Sequence, residues 1–163
     1  MKAKNKLLTL LILSAGAAVT TAGINKAIQF SAVSKNLLAE PEPLCFKWRL
    51  GNVYYTKEGT GKPLLLIHDL DTCTSGYEWK QLIPFLSSKY TVYTVDLLGF
   101  GRSEKANMTY TNFLFVQLIS DFIKSEIGHR TSIITSGEAA SIPLMACANN
   151  PDLFDQIMAI NPL

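Results

Sequence analysis

Few side chains in this 163-residue chain can move protons or form bonds, and their spacing narrows the chemistry at once. The only imidazoles are His68 and His129, and the only thiols are Cys45, Cys73 and Cys147, far apart and without a Cys-x-x-Cys pair. Four suitably spaced ligands are missing, so no metal is expected. An odd thiol count argues against a disulfide framework and leaves room for at most one bridge, in an extracytoplasmic domain. Gly99-Phe100-Gly101 supplies two glycines of a dinucleotide-binding turn, but Glu104 stands where the third belongs. These glycines are therefore expected to shape a turn, and no cofactor is expected. What remains is a hydroxyl, Ser136, a thiol, Cys73, and His68 with Asp69 after it. Each has a plain alternative. Ser136 can be a turn hydroxyl that caps a helix, and Cys73 has no base of known position to activate it.

The elements that must position these groups alternate. Phe46 to Leu50 and Val53 to Thr56 flank Gly51-Asn52 and read as a hairpin. Leu64 to Ile67 is a continuous apolar run, typical of a strand covered on both faces. Thr74 and Ser75 can cap a helix that carries Trp79, Leu82, Ile83 and Leu86 on one face, with Pro84 kinking it or ending it early. Thr91 to Val95 is a strand. Asn112 to Ile127 is a long helix with a Phe115, Leu118, Ile119 and Phe122 stripe, closed by Gly128. Thr131 to Thr135, Ala139 to Ala148 and Gln156 to Ile160 read as strand, helix and strand. The alternation predicts an α/β fold, a mostly parallel sheet with helices on both faces. Functional residues of such sheets gather at the C-terminal ends of the strands. That places His68–Asp71, Asp96–Ser103, Thr135–Glu138 and Asn161 together and leaves His129 in a loop at the opposite edge.

The net charge of +2 and the absence of a dense Lys/Arg patch give no case for nucleic acid. With 48% hydrophobic residues the chain can bury a core. Before that core, Leu7 to Ile24 run for 18 residues without a charge, preceded by Lys2, Lys4 and Lys6. As a helix they would span about 27 Å, close to a thin hydrocarbon layer. The expected partner of residues 7–24 is a membrane, crossed once with the N-terminus cytoplasmic and the domain outside. Two readings stay open: an uncleaved signal anchor, or a signal peptide cut near Ala15-Gly16-Ala17 to release a secreted domain. Glu40-Pro41-Glu42-Pro43 is a stiff, solvated break. The organisation expected is residues 1–25 as anchor or signal, 26–44 as linker and 45–163 as the domain.

Four stretches in order resemble the α/β-hydrolase superfamily over roughly Lys47 to Leu163. They are the strand and turn Leu64-Leu65-Leu66-Ile67-His68-Asp69-Leu70, the segment Tyr77 to Leu86, the loop Asp96-Leu97-Leu98-Gly99-Phe100-Gly101-Arg102-Ser103, and the strand–turn–helix from Ser132 to Cys147. The resemblance implies cleavage of esters or related small carbon–heteroatom bonds by a nucleophile on a tight strand-to-helix turn, flanked two positions away by small residues. Centring that turn on Gly137 puts Thr135 and Ala139 at the flanks. Centring it on Ser136 puts the bulkier Ile134 and Glu138 there. Gly137 fits but brings no nucleophile, leaving Ser136 as a displaced candidate. The resemblance further implies oxyanion donors at the backbone N–H groups of Leu70 and Glu138, and loop-shaping roles for His68 and Asp96. Asp69 stands where the superfamily usually has glycine, and a carboxylate there would oppose a developing oxyanion unless it points away. The superfamily's cap, later strands, catalytic acid and catalytic His all fall beyond Leu163. The expectation is thus an incomplete α/β-hydrolase fold, inactive alone, with Gln156–Ile160 an unpaired edge that a partner or a longer product would complete. A noncatalytic module that binds a small molecule or a protein is the alternative.

Overall fold

The computed structural model describes residues 19–28, 30–31 and 44–162. The chain divides into two compact units, residues 1–39 and 40–163. In the first, the described residues are helical and exposed. Among the described residues no helix is long and apolar enough to cross a membrane. Residues 7–18, most of the expected membrane segment, and the linker residues 32–43 lie outside them.

The second unit is built on a six-stranded sheet: β1 (Leu44–Trp48), β2 (Gly51–Glu58), β3 (Lys62–Ile67), β4 (Tyr90–Val95), β5 (Thr131–Ser136) and β6 (Phe154–Ile160), in the spatial order β1-β2-β4-β3-β5-β6. The β1–β2 and β2–β4 pairings are antiparallel, and β4–β3, β3–β5 and β5–β6 are parallel. Its α-helices among the described residues are α1 (Ile83–Leu86), α2 (Asn112–Phe122) and α3 (Ser141–Asn149). The long β3–β4 and β4–β5 connections are what parallel pairing demands.

Alternation within the strands splits the core in two. Leu65, Ile67, Tyr93, Val95 and Ile133 join the stripe of α2 and Ile142 and Ala146 of α3 on one face. Leu64, Leu66, Val92 and Ile134 pack with Trp79 and Ile83 on the other. Phe115, Leu118, Ile119 and Phe122 are all buried, and Phe122 meets the rings of Phe46, Tyr55 and Tyr93 edge to face. After Phe122 the helix widens into a π turn (Ile123–Ile127), closed by Gly128 in the left-handed region.

Two local expectations are corrected. The hairpin turn falls at Arg49-Leu50, and Gly51 and Asn52 already belong to β2, paired with Trp48 and Lys47. This register puts Phe46 and Trp48 on the same buried face as Val53 and Tyr55, and burial of four large side chains outweighs the turn preference of Gly-Asn. The helix expected across Trp79 to Leu86 is instead two pieces. A 3₁₀ turn (Gly76–Trp79) is capped by Ser75, whose hydroxyl accepts from the Tyr77 N–H, and α1 follows with Pro84 in its first turn. Pro84 lacks the N–H a continuous helix needs there, so it opens the second piece.

Candidate functional site

The C-terminal ends of β3, β4 and β5 lie side by side and carry three turns: His68–Thr74, Asp96–Ser103 and Gly137–Ala140. His68 ties the first two. Its ring is fully buried, with Nδ1 donating to the Asp69 carbonyl at 2.6 Å and Nε2 accepting from the Leu97 N–H at 3.0 Å. The Asp69 carbonyl also accepts from the Thr74 hydroxyl at 2.6 Å. Burial holds the His68 pKa below the ordinary imidazole value, against the Asp69 carbonyl and the nearby Asp96, which pull it upward. A ring with both nitrogens bonded to backbone is a brace, and no free nitrogen remains for proton transfer.

Asp96 braces the second turn. One carboxylate oxygen accepts from the Gly76 N–H at 2.7 Å, and the other accepts from the Arg102 N–H at 2.9 Å. A side chain at Gly101 would overlap this carboxylate. The glycine of that loop is therefore required by close approach as well as by its positive φ of 46°.

The third turn carries the site's central geometry. Ser136 is still extended strand, at φ −117° and ψ 151°. Gly137 sits at the strand-to-helix turn with φ +55°, in the left-handed region that L side chains rarely adopt. Thr135 and Ala139, two positions either side, are fully buried. The Leu70 and Glu138 N–H groups converge from the first and third turns on one oxygen, Asp69 Oδ1, at 2.7 and 2.9 Å. Asp69 does not point away. Its carboxylate fills the space between the two donors, where a side chain at residue 137 would have to be, for a Cβ on Gly137 would overlap it. Glu78 closes the arrangement: its carboxylate accepts from the Ser136 hydroxyl and, at 3.3 Å, from the Asp69 N–H.

The chain thus brings together Asp69, Leu70, Glu78, Ser136, Gly137 and Glu138. It leaves Cys73 on the exposed rim, bonded among the described residues only to Thr72, and His129 exposed in the loop before β5. All three cysteines are free. Among the described residues no group of three His, Cys, Asp or Glu side chains could hold a metal ion. Sequence reasoning did not find two features. The Ser136–Glu78 pair spans 58 residues and leaves no local trace. The capture of Asp69 by two N–H groups had one signal, a carboxylate where the resemblance has glycine, but its direction needed the folded turns.

The sheet and these turns define the class of the domain: it has an α/β-hydrolase fold. An epoxide hydrolase, CorEH, superposes with a TM-score of 0.68 at 24% identity, covering 75% of this chain and 42% of that one. An alpha/beta hydrolase fold protein from Burkholderia ambifaria superposes equally well, with a TM-score of 0.68 at 20% identity over 74% of this chain and 44% of the other. Two curated relatives are named as hydrolases. A 2-hydroxy-6-oxo-6-(2'-aminophenyl)hexa-2,4-dienoic acid hydrolase of Metapseudomonas resinovorans is 36% identical over 72 residues, 44% of this chain and 25% of the relative. The soluble epoxide hydrolase of Corynebacterium sp. (strain C12) is 27% identical over 110 residues, 67% of this chain and 37% of the relative. The chain thus matches between a quarter and two fifths of the length of these curated relatives. No protein-family model matches it.

Proposed function

We propose that this chain is a membrane-tethered protein of the α/β-hydrolase kind whose crevice takes a small organic molecule but which carries out no serine-type acyl transfer. The observation behind this is Gly137. The position from which such a fold presents its nucleophile has no side chain, and the space it would use is occupied by the Asp69 carboxylate. Ser136, the neighbouring hydroxyl, lies in the strand and is held by Glu78. Two of the relatives are named as hydrolases of a dienoic acid and an epoxide, and substrates of that size and polarity suit this reading. The tether rests on the uncharged run from Leu7 to Ile24 behind three lysines.

A serine-reactive fluorophosphonate probe tests the first part. Purified protein is expected to remain unlabelled, and labelling that disappears in Ser136→Ala would refute it. Alkaline carbonate extraction tests the tether, which fails if the protein leaves the membrane pellet. A noncatalytic binding module is the second reading, favoured by an N–H pair already satisfied by the chain's own carboxylate. It predicts ligand binding without turnover or covalent capture.

A further inference from the structure

We infer that Asn107, in the connection between β4 and α2, is an acceptor for an N-linked oligosaccharide. Asn107-Met108-Thr109 is the single Asn-x-Ser/Thr triplet in the chain, with no proline at its middle position. Such triplets are common, and the presentation of this one is what carries the inference. Burial alternates along the segment: Ala106, Met108 and Tyr110 are partly buried, and Asn107 and Thr109 are exposed. Met108 and Tyr110 pack against the larger core cluster, and the Tyr110 ring stacks on Phe115 at 6.2 Å between centroids. The Tyr110 hydroxyl donates to the Ala106 carbonyl at 2.9 Å. The Met108 N–H donates to that carbonyl as well, at 2.9 Å, so Asn107 stands at the apex of a three-residue turn. The backbone is thereby held from the inside. Neither the Asn107 amide nor the Thr109 hydroxyl has a hydrogen-bond partner among the described residues.

The two side chains so presented are the two that the reaction needs. The amide nitrogen of Asn107 forms a bond to the anomeric carbon of a lipid-linked oligosaccharyl pyrophosphate while the bond from that carbon to the pyrophosphate oxygen breaks. The electron pair leaves with the pyrophosphate, one amide proton is released, and nothing is oxidised or reduced. The Thr109 hydroxyl is the part of the triplet by which the transferase recognises the acceptor. The product is bulky and solvated, and it stands on exposed side chains, so the folded domain accommodates it. The inference rests on the membrane reading above, because the transferase acts outside the cytoplasm. An uncleaved anchor and a cleaved signal both deliver Asn107 to that side.

The experiment translates the full chain in vitro with endoplasmic-reticulum microsomes. It reads gel mobility with and without peptide-N-glycosidase, alongside protection of the domain from added protease. The expected result is one step of slower mobility, reversed by the glycosidase, with Asn107 recovered as aspartate by peptide mass spectrometry. Asn107→Gln and Thr109→Ala should each abolish the step, and Thr109→Ser should retain it, since the hydroxyl remains. After the microsomes are opened with detergent, the glycosylated domain should resist protease as well as the Asn107→Gln protein does. A domain protected inside the microsomes but unmodified overturns this inference alone. A domain digested from outside and unmodified overturns it together with the membrane reading. A mobility step that survives Asn107→Gln also overturns it.

Discussion

The mutual dependence of Asp69 and Gly137 can be measured as a coupling energy. Replacing Gly137 by alanine puts a Cβ into a left-handed residue, at about 1–2 kcal/mol. The same methyl group displaces the Asp69 carboxylate from the Leu70 and Glu138 N–H groups. Bonds to a charged acceptor contribute about 1.5–3 kcal/mol each, and the low end applies to a half-buried carboxylate screened by water. Gly137→Ala alone should therefore destabilise the domain by about 4 kcal/mol, and Asp69→Ala alone by about 2–3 kcal/mol. In the double variant the displaced group is already gone, so the methyl group costs only its backbone strain. The two changes should be sub-additive by about 2–3 kcal/mol. Urea denaturation of the four proteins, with m-values compared to check two-state behaviour, gives this number directly. Additivity within about 0.5 kcal/mol would mean that carboxylate and turn do not share one space, and the account of the site would fall with it.

Other expectations follow from single residues. His68 is buried and neutral with a pKa held below its unfolded value of 6.5, so the unfolded chain binds more protons in acid. Stability should be level above neutrality and decline as pH falls below 6.5, by up to about 1.4 kcal/mol per pH unit, and urea midpoints for His68→Gln should lose that part of the slope. Phe122→Ala empties the centre of the aromatic cluster and should cost about 3–5 kcal/mol, read as a drop in melting temperature. Met158 is 60% exposed on the outer strand, so Met158→Lys should leave stability within about 0.5 kcal/mol of the parent. Light scattering should nonetheless show less self-association, and unchanged scattering would mean that this edge does not drive it.

Much of the architecture was legible because its causes are local. The uninterrupted run at Leu64–Ile67 announced a strand covered on both faces, and the Phe115–Phe122 stripe announced the helix that covers one of them. The β5-to-α3 turn was readable from the small residues around Gly137. Local rules failed where tertiary burial overruled them. Gly51-Asn52 has the composition of a hairpin turn, yet the inward set of Phe46, Trp48, Val53 and Tyr55 moved the turn two residues earlier. Pro84 was read as a break inside a helix and proved to be the start of one. The direction of the Asp69 carboxylate was beyond sequence, because its two donors come from segments 68 residues apart and meet only when β3 and β5 pair.

The outermost strand carries one more implication. Among the described residues β6 is bonded along one side, to β5, and from Gln156 to Ile160 it carries no charge and no proline to discourage a neighbour. A backbone left in that state is a template, offered to whatever extended segment arrives next. Changes confined to its outward-facing positions should alter what the sheet recruits while leaving the sheet itself as it is.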